Sequence, residues 1–90
     1  MISMQKLKFS DVSYSYDSAF DILRVSFKYS PSFYYEETTS NVFLRYDDNT
    51  DEIVGLQIID SSKLPPSNLK GILCPDYYDK TFEILTNLFY

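Results

Sequence analysis

Histidine and tryptophan are absent from this 90-residue chain, cysteine occurs once and glycine twice. Without histidine, neither a Ser–His–Asp triad nor a Cys–His pair can be assembled. A zinc site needs nitrogen or sulfur ligands, and one cysteine cannot supply it. Two glycines are too few for the glycine-rich loops that cradle phosphate. The single Cys74 excludes an intrachain disulfide and fits a reducing compartment. With no histidine to activate it, Cys74 is expected to be a buried, inert thiol. Long apolar runs are missing too. "MISMQKLKFS" has Lys6 and Lys8 but no hydrophobic stretch behind them, so no signal peptide is expected. Nothing else is long enough to span a bilayer. The expectation is a cytoplasmic protein, not an enzyme, with no cofactor.

What the chain does hold is apolar, aromatic and acidic. A hydrophobic content of 44% excludes general disorder. Nine tyrosines and seven phenylalanines suit the pleated surface of a sheet. The formal net charge is −5, and it is unevenly spread: residues 1–60 carry ten acids against five bases, residues 61–90 three of each. A phosphate backbone would be repelled, which argues against nucleic acid. A basic protein would be attracted, although acidity also serves plain solubility.

Period-two patterns mark four strands. Val12, Tyr14 and Tyr16 alternate with Ser13, Ser15 and Asp17. Asp17 then turns the chain, its carboxylate placed to accept backbone N–H bonds two residues on. Residues 22–29 put Leu23, Val25, Phe27 and Tyr29 on one face and Arg24, Ser26 and Lys28 on the other. Residues 41–46 alternate Val42, Leu44 and Tyr46 against Phe43 and Arg45. Residues 53–59 are apolar on both faces, Val54, Leu56 and Ile58 against Ile53 and Ile59, as in a central or doubly covered strand. Between the second and third strands, "SPSFYYEETTS" reads as a loop broken by Pro31. Its Phe33, Tyr34 and Tyr35 either tuck over a sheet edge or form a contact patch.

The tail begins with a linker, "KLPPSNLKG". Beyond it, Tyr78, Phe82, Leu85 and Phe89 recur at helical spacing, with Asp76 placed as the N-cap. A strand at "KTFEIL" is the rival pattern. These elements predict an α+β fold: a four-stranded antiparallel β-meander over residues 1–62, with a linker and one C-terminal helix packed on the sheet over residues 63–90. Which face the tail covers is left open.

Three groups of residues are candidate sites. Asp47, Asn49 and Asp51 give the D-x-N-x-D opening of a calcium loop. The sixth and twelfth positions hold Glu52 and Ile58 where glycine and a bidentate glutamate are needed, so a hairpin tip is the stronger reading. Asp17 and Asp21 at the first turn, and Glu36 and Glu37 in the loop, lie in wet segments and are expected to titrate normally, as poor general acids. Arg24, Lys28 and Arg45 with Phe43 form a weak nucleic-acid pattern, more often a solvated sheet face. Phe43, Ile53 and Ile59, with the aromatic group Phe33, Tyr34 and Tyr35, form a protein-binding or self-association surface if the helix covers the opposite face.

Two blocks, "YDSAFDILRVSF" and "SNVFLRYDDNTDEIVGLQIIDSSK", resemble the domain-of-unknown-function 2283 family of small bacterial proteins. The matching positions are Tyr16, Asp17, Asp21, Leu23, Tyr46, Asp47, Val54, Gly55, Ile58, Asp60 and Ser61, over about residues 14–62. The turn glycine usual in the family tip is missing here. The resemblance implies a compact antiparallel sheet. Through members that look like partners of small toxin genes, it also implies an antitoxin-like neutraliser of a basic partner. The expected function is therefore a small acidic protein-binding module. The alternatives are a homo-oligomer pairing through its sheet, or a weak metal or ligand binder at Asp47–Asp51.

Overall fold

The computed structural model describes residues 4–6, 12–39 and 41–90. Among them lie six strands and one α-helix: β1 (Met4–Lys6), β2 (Ser13–Asp17), β3 (Ile22–Ser26), β4 (Phe33–Thr39), β5 (Val42–Asp47), β6 (Ile53–Ile59) and α1 (Pro75–Phe89). All neighbours in the sheet are antiparallel. The α+β class and the C-terminal helix agree with the sequence reading. The four-stranded meander does not.

The strand order is β1-β2-β3-β6-β5-β4. Two three-stranded meanders join where β3 pairs with β6, Leu23 opposite Ile58 and Val25 opposite Leu56. β6, the strand richest in apolar residues, thereby gains a central place with a partner on each side. The stretch read as a Pro-broken loop supplies the extra edge strand, β4. All seven of its residues are exposed. A strand wet on both faces has no apolar–polar alternation, so the usual signal is missing. β1 adds a three-residue strand at the opposite edge.

Leu23, Val25, Val42, Leu44, Leu56 and Ile58 line one sheet face, and Leu69, Leu73, Ile84 and Leu85 from the tail complete the same core. Each such fully buried side chain contributes about 1.5–3 kcal/mol relative to exposure. The helix has therefore taken the face of Leu23 and Ile58. It leaves open the face of Arg24, Gln57 and Phe43, which the register aligns across β3, β6 and β5.

β3 stops at Ser26, short of the expected Tyr29. The N–H groups of Phe27 and Lys28 both turn onto the Val54 carbonyl, at 2.8 and 3.2 Å. Phe27 stays buried, stacked on Tyr77 with ring centroids 4.1 Å apart. Tyr29, expected on the apolar face, is exposed. The "linker" is ordered as two short 3₁₀ turns, Ser61–Lys63 and Pro66–Leu69, and the second one buries Leu69.

α1 forms as the periodicity predicts, and the rival strand does not. Its start differs: Cys74 is the N-cap, Pro75 occupies a first-turn position and Asp76 falls within the first turn. Cys74 is exposed, contrary to the buried thiol expected. The helix also buries a different face. Thr81, Ile84 and Leu85 point inward, whereas Phe82 is 44% exposed. Thr81 can be buried because its hydroxyl donates to the Tyr77 carbonyl at 2.8 Å, leaving its methyl for the core.

Candidate functional site

Both glycines have negative φ, so the tight turns fall to other residues. Asp21, Asn41, Asp51 and Asp60 take the left-handed conformation, with φ of 55°, 69°, 59° and 57°. Short polar side chains tolerate this region because they bond to nearby backbone. Asp17 behaves as expected, accepting from Ala19 N–H at 3.0 Å across the β2–β3 turn.

Asp21 does more than turn the chain. Its carboxylate receives the Tyr16 hydroxyl at 2.8 Å, the Ser62 hydroxyl at 2.6 Å and the Ser62 N–H at 3.1 and 3.2 Å. The Ser61 hydroxyl is 3.1 Å from both Asp21 O and Oδ1, and Ser61 N–H donates to the same carbonyl at 3.0 Å. These bonds clamp the β2–β3 turn to the end of β6. Partial burial works to raise the Asp21 pKa, but the donors from Ser62, Tyr16 and Ser61 outweigh it and hold the carboxyl below its ordinary value. The ordinary titration expected for this acid is thus corrected. Tyr16 moves the opposite way, its phenol raised by burial and by bonding to Asp21. With its oxygens this fully engaged, Asp21 acts as a structural latch.

The Asp47–Asp51 tip is built in the same manner. Asp47 Oδ1 accepts the N–H groups of Asn49 and Thr50 at 2.8 and 3.0 Å, and Oδ2 accepts the Ser30 hydroxyl at 2.8 Å. Those backbone and serine donors lower its pKa. Asp51 supplies the left-handed residue of the tip, and its carboxylate receives the Tyr34 hydroxyl at 2.9 Å. The tip ties β5 to β6 and to β4. Among the described residues no group of three or more His, Cys, Asp or Glu is arranged to hold a metal ion.

The aromatic and aliphatic candidates divide between the two faces. Phe33 and Tyr35 pair with Asp47 and Arg45, while Phe43 pairs with Gln57 and Ile59 with Ile22. The alternation of each strand puts all four on the open face. Phe33 and Tyr35 meet edge-on at 5.8 Å, and the Arg45 guanidinium lies 4.9 Å from the Phe33 ring centre. Tyr34 is on the other face, stacked on Tyr46 at 5.3 Å. Ile53 departs from its expected place beside Phe43 and Ile59. A bulge at Val54 shifts the register from Arg45–Gly55 to Tyr46–Ile53 and turns Ile53 toward the core. Lys28 also leaves the arginine face, pairing with Glu52 at 3.0 Å beyond the strand end.

Gly55 sits beneath Arg45. A Cβ here would lie 2.6 Å from the Val25 carbonyl and would collide with the guanidinium. Only glycine leaves room for Arg45 to lie flat across the sheet. Periodicity alone gives no sign of this, or of the Asp21 latch, whose serine partners lie about forty residues away.

The molecule is thus a small antiparallel α+β domain with one sheet face left open by the other described residues, and among these no helix is long and apolar enough to cross a membrane. The family described as a protein of unknown function, DUF2283, matches residues 13–62. The match covers more than half of the chain, and the protein belongs to that family. It begins with β2 and ends on Ser62, the last partner of the Asp21 latch. No curated protein and no solved structure matches the chain.

Proposed function

We propose that this protein is a non-enzymatic protein-binding module that receives an extended, basic segment of a partner along the β4 edge. The observation that carries this is β4 itself, a seven-residue edge strand exposed throughout and paired, among the described residues, with β5 alone. Such an edge presents backbone donors and acceptors ready to accept another strand. β4 lacks the lysine or proline that commonly blunts an edge, and carries Phe33, Tyr34 and Tyr35 as contact surface. Glu36 and Glu37 on the strand, with Asp48 and Asp51 bonded to Ser32 and Tyr34 near its start, favour a cationic partner. An antitoxin-like neutraliser of a basic protein is the specific role this reading leads to.

A second copy fits the edge less well. Antiparallel pairing of two full-length β4 strands would centre on Glu36 and set it against its own counterpart, a repulsive contact. The test is a titration with an extended peptide of alternating valine and lysine, using the valine–glutamate peptide as control. Saturable binding of the lysine peptide that weakens with salt supports the proposal. Equal binding of both peptides, binding of neither, or a dimer persisting at low concentration would reject it.

A further inference from the structure

The open sheet face carries a second feature, which reaches from β2 across to Arg45 on β5. Ser13, Ser26, Gly55 and Arg45 form one row across β2, β3, β6 and β5, and Ser15, Arg24, Gln57 and Phe43 form the next. The small residues leave a trough of about 170 Å³ lined chiefly by Ser13, Ser15, Ser26, Arg24 and Arg45. From the chemistry of this lining we infer that the trough is an oxyanion site, taking one phosphate or carboxylate group between the two guanidinium groups.

Both arginines are held in place by neutral contacts. Arg24 Nε donates to Gln57 Oε1 at 3.1 Å, leaving its terminal nitrogens uncommitted by that bond. Arg45 is sandwiched between the Phe33 ring and the bare backbone at Gly55. Among the described residues neither arginine forms an ion pair, the one found being Lys28–Glu52. Arg45 Nε is buried without a hydrogen-bond acceptor. A buried donor left unpaired is costly, and an acceptor entering the trough would relieve it. Planar guanidinium groups match phosphate and carboxylate geometry, and the hydroxyls of Ser13 and Ser15 can donate to remaining oxygens, while that of Ser26 donates to the Lys28 carbonyl at 3.5 Å. In a chain of net charge −5, this is a local concentration of positive charge. The volume is below the roughly 300–1,000 Å³ of pockets that enclose drug-sized ligands, so a single anionic group is the fitting occupant. Nothing in this inference depends on a partner strand at β4.

The experiment titrates the intact protein with inorganic phosphate and, separately, with malonate, at low ionic strength. Backbone amide shifts of Ser13, Ser26 and Gly55 are the readout. Saturable shifts at these amides are expected with at least one anion, weakened roughly ten- to a hundredfold by Arg45→Gln or Arg24→Gln. A response to phosphate alone assigns a phosphoryl ligand, and a response to malonate alone assigns a carboxylate. Should Arg45→Gln fail to fold, Arg24→Gln and the wild-type titration decide the matter. Absence of saturable shifts with both anions, or shifts that survive in folded arginine variants, would overturn the assignment.

Discussion

Removing the Asp21 carboxylate should destabilise the protein well beyond an ordinary surface substitution. Four donor groups reach that carboxylate: the hydroxyls of Tyr16, Ser61 and Ser62, and the Ser62 N–H. Hydrogen bonds to a charged group contribute about 1.5–3 kcal/mol each when buried. Here the site is half-exposed and the bonds share donors, so the cluster as a whole is worth about 2–3 kcal/mol after discounting for solvent. Asp21→Gly keeps the left-handed backbone at φ 55° and isolates that side-chain contribution. Asp21→Ala should cost about 1 kcal/mol more, because alanine is strained there. Asp21→Asn retains one acceptor but turns an amide toward Ser62, for a loss of about 1–2 kcal/mol. In a domain of this size each kcal/mol lowers the melting temperature by about 4–8 °C. The order of stability in thermal and urea unfolding should be wild type, Asn, Gly, Ala.

The pH dependence supplies an independent check. The folded Asp21 carboxyl titrates below its ordinary 3.8. A depressed acid stabilises the fold above the unfolded value, and that contribution fades as pH falls through the folded one. The gap between wild type and Asp21→Asn should therefore be widest above about pH 4 and narrow on further acidification. Asp47 is also depressed, so the comparison must be read as a difference between the two proteins. Variants within about 0.5 kcal/mol of wild type, or a gap that ignores pH, would refute the latch.

Gly55→Ala should cost about 1–3 kcal/mol, since the Val25 carbonyl 2.6 Å from the added carbon is backbone and cannot step aside. The same change should displace Arg45 and abolish anion-dependent shifts at Ser26; a wild-type denaturation midpoint would count against the flat-lying arginine. Cys74, exposed at the helix N-cap, should react with a thiol reagent in the native state as fast as in urea. Labelling that requires unfolding would contradict its placement.

Where one face is dry and the other wet, the sequence pattern showed the strand, and β6, apolar on both faces, begins and ends at the expected Ile53 and Ile59. β4 was illegible for the opposite reason, because both its faces meet water. Partnership between strands is a non-local property. Nothing local in "DILRVS" tells that its neighbour is "IVGLQII" some thirty residues on, so a plain meander is the default. The helix was legible in its period but rotated in its face, because Thr81 counts as polar until its hydroxyl is seen to bond its own backbone. At the sites, the acids of both turns stood out in the sequence, and the open face of Phe43 and Ile59 followed from alternation. The one-residue bulge at Val54 then carried Ile53 to the other side. Arg24 and Arg45 were placed together on one face, but their trough depends on Gly55 and three serines meeting across four strands.

Protein recognition along β4 is the central claim, and amide hydrogen exchange along Phe33–Thr39 tests it most directly. In the free protein the outward amides of this edge should exchange rapidly, and the valine–lysine peptide should protect them in alternation. Peptide binding that protects the outer helix face around Phe82 instead, or leaves β4 exchanging as before, would contradict it.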